Sequence, residues 1–469
     1  MKIISTILAF ILGFFTYPIS FLPFVQDTDF DIKLSEPVDK SFYVEGTDVS
    51  FDAETTDDYG IILNNTVTLE INKNEYPWFN YYGIAYSADA YIKGEICYRA
   101  GVKKVTEEFF LEPSEDVTQF HSFINNALKG TKAITLISLS FTPLNAENAT
   151  IYIHGISLFN RNIPDKQIYI ENDSLKIGVD LLWGGALSYF EDLDSNVQVV
   201  EVDGNIYVDS NAAERYNTKS VNDNVNLINR NDTGRLVQQS YYGTVDDENY
   251  QPAVYMDNTW HYNPVQGGNQ YNDNSKIVDV KIEENLIYIK CQPLDWAKEK
   301  EHITPSYMEA YYTIDGKMLD VSCRFVDFSG YEETVRTQEL PAFYCVEPLN
   351  NFVYCDNGEL KYVNNLIFWP DAGYPNYVST ENWAAFTGES EDSFGIGLYV
   401  PDEGATSFLT GVYARGETTN HSPADDSPTS YIAVVKDMVF KSYTPFEYDF
   451  YITTGDVTEI RNTFNTIKQ

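Results

Sequence analysis

The feature that most constrains the fold of this chain is a period-two alternation of apolar and polar residues that recurs from Gln167 to Thr454. Such alternation is typical of strands with one buried face, and many of the apolar positions hold β-branched or aromatic residues. The clearest segments are Leu175–Val179, Ile277–Ile282, Leu286–Cys291, Tyr307–Ile314, Met318–Phe325, Phe394–Val400 and Phe446–Ile452. So long a stretch with so little helix predicts a large double-sheet fold rather than one small sandwich.

A short helix is predicted at the C-terminal end of this region. Asp456 and Glu459 have the spacing of a capping box. Apolar residues then recur at intervals of three and four, which predicts one buried stripe formed by Val457, Ile460, Phe464 and Ile467. The predicted fold class is therefore all-β with brief helices.

Residues 27–160 are predicted to form a separate domain, because the polar turn Asn162-Ile163-Pro164-Asp165 precedes a new series of strands that makes up a domain of residues 165–469. Three- and four-residue spacing predicts one helix over Asp116–Leu128, ended by Gly130. The remaining pattern predicts a jelly-roll-like β-sandwich. Its clearest strands are Thr66–Ile71, Tyr91–Tyr98 and Ala133–Phe141.

The first residues of the chain have the pattern of a signal peptide over residues 1–26. Lys2 precedes an almost uncharged run from Ile3 to Phe24, and Ser20 is a small residue near its end. We therefore expect export to the cell surface, the periplasm or the medium, and no membrane association after cleavage. A permanent anchor is the alternative, although Pro18 interrupts the run.

The charge of the chain restricts its partners. Lys and Arg number 31 against 70 Asp and Glu, which gives a formal net charge of −39. Nucleic acids and anionic membranes are poor partners, because phosphate binding needs clustered cations. A polyanionic polysaccharide is disfavoured for the same reason, whereas neutral glycans suit a chain with 36 Tyr and 28 Phe. The oligomeric state stays open.

Five scattered cysteines do not make a disulfide scaffold. Cys345 and Cys355 could pair across a short loop, and no zinc-binding spacing occurs. No cofactor is predicted. A structural calcium ion at Glu191-Asp192-Leu193-Asp194-Ser195-Asn196 is left open, although this segment lacks the spacing of a calcium loop and reads more simply as a polar turn.

The start of the second domain resembles the galactose-mutarotase-like supersandwich domains of carbohydrate-active enzymes. The resemblance lies in Asn172–Gly178 followed by Trp183-Gly184-Gly185-Ala186-Leu187, a strand pair that turns at Gly-Gly. It implies a large antiparallel β-supersandwich over about residues 165–455, and carbohydrate as the substrate class. The His that mutarotases use has no match here, so epimerase activity does not carry over. Other users of the fold include glycoside hydrolases and polysaccharide lyases.

The first domain resembles, in architecture only, the accessory carbohydrate-binding sandwiches that precede catalytic domains in exported glycan enzymes. It carries the aromatic run Trp78-Phe79-Asn80-Tyr81-Tyr82. If this domain binds glycan, we expect at least one of these rings to be exposed. Core packing is the alternative role for each ring.

The candidate substrate-binding residues come mainly from two polar segments. Asn229–Arg235 mixes a carboxylate, amides and guanidinium groups, and it leads into a strand that carries Gln239 and Tyr241. Amides, guanidinium groups and aromatic rings are what sugar recognition uses. The second segment, Trp260–Asn269, and the nearby Trp296 add rings and amides in loops. The predicted substrate-binding residues are Arg235, Gln239, Tyr241, Trp260, His261, Gln266 and Trp296.

The candidate catalytic residues are Glu309, Glu339 and Asp232. A glycosidase needs two carboxyl groups, one to protonate the leaving oxygen and one to act as nucleophile or base. Glu309 interrupts a strand and Glu339 ends one. The favoured function is a glycoside hydrolase. The alternatives are a lyase that uses Arg235 with Tyr241 or His261 as base, and a non-catalytic glycan-binding surface protein.

Overall fold

The structure is a computed structural model that describes residues 28–33, 41–44, 47–56, 60–71, 78–162, 165–245, 247–299, 302–364, 366, 368–369, 375–390, 392–413 and 422–467. The predicted signal peptide lies outside these residues. The chain divides into two compact units, Met1–Lys166 and Gln167–Gln469. Among the residues described, no helix has the length and apolar character that crossing a bilayer requires.

The first unit is built from antiparallel strands and one 3₁₀ turn, Ala127–Lys129. Its strands are β1 (Thr28–Lys33), β2 (Ser41–Val44), β3 (Thr47–Ser50), β4 (Ile61–Leu63), β5 (Val67–Ile71), β6 (Tyr81–Ala88), β7 (Ile92–Ala100), β8 (Lys103–Leu111), β9 (Ser114–Phe123), β10 (Thr135–Pro143) and β11 (Ala149–Asn160).

Two sheets of this unit pack face to face. Within the described ranges, one has the order β1-β11-β6-β9 with β4 beside β11, and the other has the order β2-β3-β5-β10-β7-β8. Phe109 of the second sheet contacts Tyr82 and Phe120 of the first, with ring centroids 6.0 and 5.3 Å apart. These contacts form the core of the predicted sandwich.

The predicted helix over Asp116–Leu128 is wrong. Residues up to Phe123 belong to β9, which pairs with β6 in the register Ile84↔Phe120. Hydrogen bonding to a neighbouring strand overrides a local spacing that fits a helix equally well. Only the end of the predicted segment is helical: it forms the 3₁₀ turn Ala127–Lys129, which is followed by Gly130 with a φ of 86°.

Most of the aromatic run in the first unit is core. Phe79, Tyr81 and Tyr82 are 2%, 5% and 1% exposed. Trp78 is half-buried, and the Lys132 ammonium lies 4.1 Å from the centroid of its ring. Trp78 is therefore the one member of the run with a ring partly open to solvent.

In its described residues the second unit has a longer series of strands and two short helices, α1 (Ala212–Arg215) and α2 (Val457–Ile467). Its strands are β12 (Gln167–Glu171), β13 (Leu175–Asp180), β14 (Ala186–Asp192), β15 (Gln198–Val202), β16 (Asn205–Asp209), β17 (Ser220–Asn222), β18 (Val237–Ser240), β19 (Ala253–Tyr255), β20 (Asn258–Trp260), β21 (Pro264–Val265), β22 (Lys276–Glu283), β23 (Leu286–Gln292), β24 (Leu294–Asp295), β25 (Ser306–Asp315), β26 (Met318–Asp327), β27 (Arg336–Val346), β28 (Asn351–Asp356), β29 (Glu359–Val363), β30 (Phe368–Trp369), β31 (Asn376–Ser379), β32 (Trp383–Thr387), β33 (Gly395–Tyr399), β34 (Thr406–Tyr413), β35 (Thr429–Met438) and β36 (Phe446–Gly455). Short 3₁₀ turns occur at Leu181–Trp183 and Pro423–Asp425.

Two large sheets dominate this unit in the described part of the chain. An eleven-stranded sheet has the order β12-β13-β14-β18-β27-β35-β34-β30, with β21, β24 and β31 off this path. A nine-stranded sheet has the order β22-β23-β25-β26-β36-β33-β32-β28-β29. We name them the cleft sheet and the back sheet. The strands predicted from alternation are present, and the all-β class with a large supersandwich is confirmed.

The predicted Gly-Gly turn joins β13 to β14 where the two sheets meet. Gly184 and Gly185 have φ of 59° and 70°. A Cβ on Gly184 would lie 2.0 Å from the Gln266 carbonyl oxygen, and one on Gly185 would lie 2.5 Å from Ile289. The Tyr312 hydroxyl of the back sheet donates to the Gly185 carbonyl at 3.0 Å. Only glycine permits this close approach.

The C-terminal helix follows its prediction. The Glu459 backbone N–H donates to the Asp456 carboxylate at 2.9 Å, and the Asp456 N–H donates back to the Glu459 carboxylate at 3.1 Å. Val457, Ile460 and Phe464 are buried against the back sheet. The capping box and the apolar stripe thus fix where α2 begins and which face it buries.

Candidate active site

A cleft of about 420 Å³ lies on the face of the cleft sheet that is turned away from the back sheet. This volume is within the range of small-molecule binding sites. Its floor is the cluster of Ala342, Tyr431 and Ala433, with Tyr344 and Leu409 packed against it. Among the predicted site residues, Asp232, Arg235, Trp260, Trp296 and Glu339 line the cleft.

A β-bulge brings Glu339 to the cleft. Strict alternation along β27 would place Glu339 on the opposite face from Ala342 and Tyr344. The register to β35 shifts between Glu339 and Ala342, which face Val435 and Ala433 respectively. Three steps along β27 thus correspond to two along β35, and the extra residue restores Glu339 to the cleft face.

The environment of Glu339 favours its protonated form. Burial raises the pKa of this carboxyl group, and hydrogen bonds with the hydroxyls of Tyr431 and Tyr242 only partly offset the effect. Within the described residues no Lys or Arg forms an ion pair with Glu339. A carboxyl group with a raised pKa is suited to donate a proton near neutral pH.

Asp232 is the other carboxylate among the described residues that line the cleft, and two contacts fix its side chain. Its carboxylate forms an ion pair with the Arg235 guanidinium and accepts from the Gly234 N–H at 2.9 Å. The same guanidinium donates to the Ser427 carbonyl at 2.9 Å. Two carboxyl groups in different environments therefore line one cleft, one beside phenols and one beside a guanidinium group.

Aromatic rings form one wall of the cleft. The Tyr255 ring lies 4.9 Å from Trp260 and 5.9 Å from Trp296 between centroids. The Trp260 indole donates to the Asn263 side-chain oxygen at 3.1 Å, which fixes its orientation. A Cβ on Gly234 would lie 2.5 Å from the Trp296 ring, so the absence of a side chain there lets the polar loop approach the wall.

Three predicted substrate-binding residues are buried between the two large sheets instead. Gln239, Tyr241 and Gln266 are each 1% exposed. The Tyr241 hydroxyl donates to Gln239 at 2.7 Å, the Gln239 amide donates to the Glu309 carbonyl at 2.9 Å, and the Gln266 amide donates to the Gly184 carbonyl at 3.1 Å. Their polar groups bond to one another and to the backbone, so they stabilise the interior and do not face the cleft.

Glu309 lies on the outer face of the back sheet and does not pair with Glu339. The Tyr312 hydroxyl, three residues along β25, points inward to Gly185, whereas Glu309 is on the face of the exposed Tyr311. Arg324 and Lys290 donate to its carboxylate at 2.9 and 3.2 Å, and the Tyr288 hydroxyl donates at 2.7 Å.

The neighbouring cations determine the direction in which the pKa of Glu309 shifts. Burial by itself would raise the pKa of this carboxyl group, but Lys290, the Tyr288 hydroxyl and Arg324 outweigh burial and lower the pKa. The structure places Glu309 in an ion-pair cluster rather than a cleft. The predicted pair of Glu309 and Glu339 is therefore not brought together.

His261 lies behind the aromatic wall. Its ring stacks on Trp260 at 4.5 Å and meets the Tyr242 ring edge-on at 4.7 Å. Burial, with a smaller contribution from Arg336, lowers the pKa of His261 to about 4. The imidazole is thus neutral at physiological pH and supports two cleft residues from outside the cleft.

The described residues contain no group of three or more His, Cys, Asp or Glu side chains placed to hold a metal ion. At the segment considered for calcium, the Asp192 carboxylate accepts from the hydroxyls of Thr454 and Ser195 at 2.6 and 2.9 Å. The Lys317 ammonium lies 3.6 Å from the same carboxylate. All five cysteines, each in a described strand, are free, so Cys345 and Cys355 do not pair.

Several cleft residues are not among the predicted site residues, and they include Tyr242, Tyr255, Met256 and Tyr431. Tyr242 lies in the cleft, whereas its neighbour Tyr241, which is a predicted substrate-binding residue, lies in the core. Side chains in a strand alternate between faces, so an error of one residue exchanges cleft for core. Gln238, Ser240 and Tyr242 line the cleft, which is the face opposite to that of Gln239 and Tyr241.

No family model and no curated protein matches this chain in sequence. The solved structures similar to it include galactose-mutarotase-like proteins. A galactose mutarotase related enzyme from Lactobacillus acidophilus is 11% identical and aligns over 61% of this chain and 97% of its own length, with a TM-score of 0.34. A homologue of aldose epimerases from C. elegans is 11% identical over 62% of this chain and 99% of its own length, with a TM-score of 0.34.

A 4-alpha-glucanotransferase from Thermococcus litoralis is 11% identical and aligns over 62% of this chain and 37% of its own length, with a TM-score of 0.30. The strand pairing described above establishes the fold of this chain, and the cleft residues are the basis for inferring its function.

Proposed function

We propose that this protein is an exported glycoside hydrolase that acts on a neutral poly- or oligosaccharide in the cleft of its second unit. The observation that carries the proposal is the presence of Glu339 and Asp232, in different environments, along one aromatic-walled cleft. Sugar rings present apolar faces that stack on aromatic side chains and hydroxyl groups that bond to amides and carboxylates.

In this mechanism Glu339 is the general acid. Its carboxyl proton passes to the glycosidic oxygen as the bond to the anomeric carbon breaks, so the leaving sugar departs as a neutral alcohol. The environment that raises its pKa keeps the proton available. The hydroxyls of Tyr242 and Tyr431 orient the carboxyl group and donate to it after it becomes ionised.

Asp232 is the second carboxylate of the mechanism. It either attacks the anomeric carbon or removes a proton from the attacking water. The Arg235 ion pair positions the Asp232 carboxylate, and Trp260 and Trp296 hold the sugar against it. The anomeric configuration of the first product, followed by NMR, distinguishes the two roles.

The test is a panel of neutral poly- and oligosaccharides incubated with the purified chain. New reducing ends and products larger by the mass of water support hydrolysis. Unsaturated sugars, detected by their absorbance, would instead support a lyase. Binding without any product would indicate a glycan-binding surface protein. The ion pair between Asp232 and Arg235 favours this alternative, because a paired carboxylate is a weaker nucleophile and base.

A further inference from the structure

The cleft wall is carried by a two-residue hairpin whose turn has an unusual sequence. Strands β19 and β20 pair in the register Tyr255↔Asn258, with Met256 and Asp257 between them. Both turn residues have positive φ, 49° and 61° respectively. This is the arrangement of a type I′ turn, which strongly prefers Asn-Gly or Asp-Gly.

The same chain uses the preferred residues in two other turns of this kind. The β15–β16 hairpin turns at Asp203 and Gly204 with φ of 52° and 84°. The β28–β29 hairpin turns at Asn357 and Gly358 with φ of 50° and 80°. Neither turn lines the cleft. Met256 departs furthest from the rule, because a long side chain at positive φ crowds its own backbone, whereas Asp257 is of a residue type that tolerates this conformation.

The location of Met256 gives a reason for this departure. Its side chain lines the cleft beside Tyr255 and Trp260, and the residue is 51% exposed. Methionine is flexible and polarizable and adapts to irregular apolar surfaces. Strained backbone is typically kept where it serves a functional site.

We propose that Met256 is a specificity-determining residue that contacts the apolar face of a bound sugar at the mouth of the cleft. The turn accepts an unfavourable residue for this contact. This inference rests on the proposed function, because it takes a neutral glycan as the ligand of the cleft.

The test compares two single substitutions, Met256→Asn and Asp203→Met. The first gives the cleft turn a preferred residue and removes the apolar contact. The second places Met at the equivalent position of a turn remote from the cleft. Melting temperatures are measured without ligand, and affinities are measured by calorimetric titration with neutral cello-, xylo-, manno- and malto-oligosaccharides.

For Met256→Asn we expect an equal or higher melting temperature together with an affinity about three- to tenfold weaker. For Asp203→Met we expect a lower melting temperature and the affinity of the parent. Met256→Leu should recover most of the affinity lost in Met256→Asn, because it restores an apolar side chain without improving the turn.

Equal affinities of the parent and Met256→Asn would overturn the inference and leave the proposed function standing. A lower melting temperature for Met256→Asn would also overturn it, since Met256 would then stabilise the fold. If the parent bound none of these glycans, the proposed function would fail, and the assignment of a sugar to Met256 would fail with it.

Discussion

Two glutamates of the second unit, Glu309 and Glu339, are each hydrogen-bonded by tyrosine, yet the pKa values of their carboxyl groups shift in opposite directions. Glu309 on the back sheet has Lys290 and Arg324 within 3.2 Å of its carboxylate, and its pKa is lowered. Glu339 on the cleft sheet has two phenols beside it, and its pKa is raised. Both are strand residues, and burial acts to raise the pKa of each, so the cations beside Glu309 make the difference.

The comparison teaches where to look for an acid catalyst. A buried carboxylate whose charge is matched by cations is a structural ion pair. A buried carboxyl group bonded only by neutral donors has no such compensation, and perturbed pKa values of this kind cluster at functional sites. The following predictions test this contrast in order of decreasing effect.

Glu339→Gln should reduce turnover by about 10²- to 10⁴-fold, whereas Glu309→Gln should leave it close to that of the parent. Gln keeps the shape of Glu but has no proton to donate. Initial rates on the glycan cleaved by the parent provide the measurement. A large loss in Glu309→Gln at unchanged stability would reverse the assignment, and full activity of Glu339→Gln would remove the general acid.

Glu309→Gln should instead lower the free energy of unfolding, by about 2 kcal/mol, because it removes the buried carboxylate that pairs with Lys290 and Arg324. The value is set below that of a fully buried pair, since the two cationic side chains are 15% and 24% exposed. Glu339→Gln should not destabilise the chain at neutral pH. Urea denaturation of both variants measures the difference, and equal losses would contradict the contrast.

The two variants should differ from the parent with opposite dependence on pH. A lowered pKa in the fold means that Glu309 contributes stability above the unfolded value of about 4.3 and loses it as the pH falls through the lower folded pKa. A raised pKa means that Glu339 costs stability as the pH rises through its folded value.

Relative to the parent, Glu309→Gln should therefore become less stable with rising pH and Glu339→Gln more stable. Unfolding free energies measured from pH 3 to pH 7 check both slopes. Parallel slopes for the two variants would show that the environments do not differ as described.

The smallest effect is expected for Tyr431→Phe. Removing one hydroxyl that bonds the Glu339 carboxylate should raise the pKa of Glu339 further and move the alkaline limb of the pH–rate profile upward by about half a unit. Tyr344→Phe, on the floor of the same cleft, is the matched control. A shift to lower pH in Tyr431→Phe would mean that the hydroxyl does not stabilise the ionised carboxylate.

The sequence by itself determined the all-β class, the strands and the C-terminal helix, because period-two alternation and a capping box are local signals. It also located the loop of Asp232 and Arg235 and the two Trp residues of the cleft wall, since a run of polar groups and exposed rings is costly unless it is used.

Only the tertiary structure decided which face each strand residue occupies. The register shift at Glu339 reverses the alternation of β27, and a difference of one residue sends Tyr241 to the core and Tyr242 to the cleft. Glu309 and Glu339 lie in different sheets, so their carboxyl groups are not brought together. Local patterns specify that a strand forms, whereas bulges and partner strands, which come from distant sequence, set the direction of its side chains.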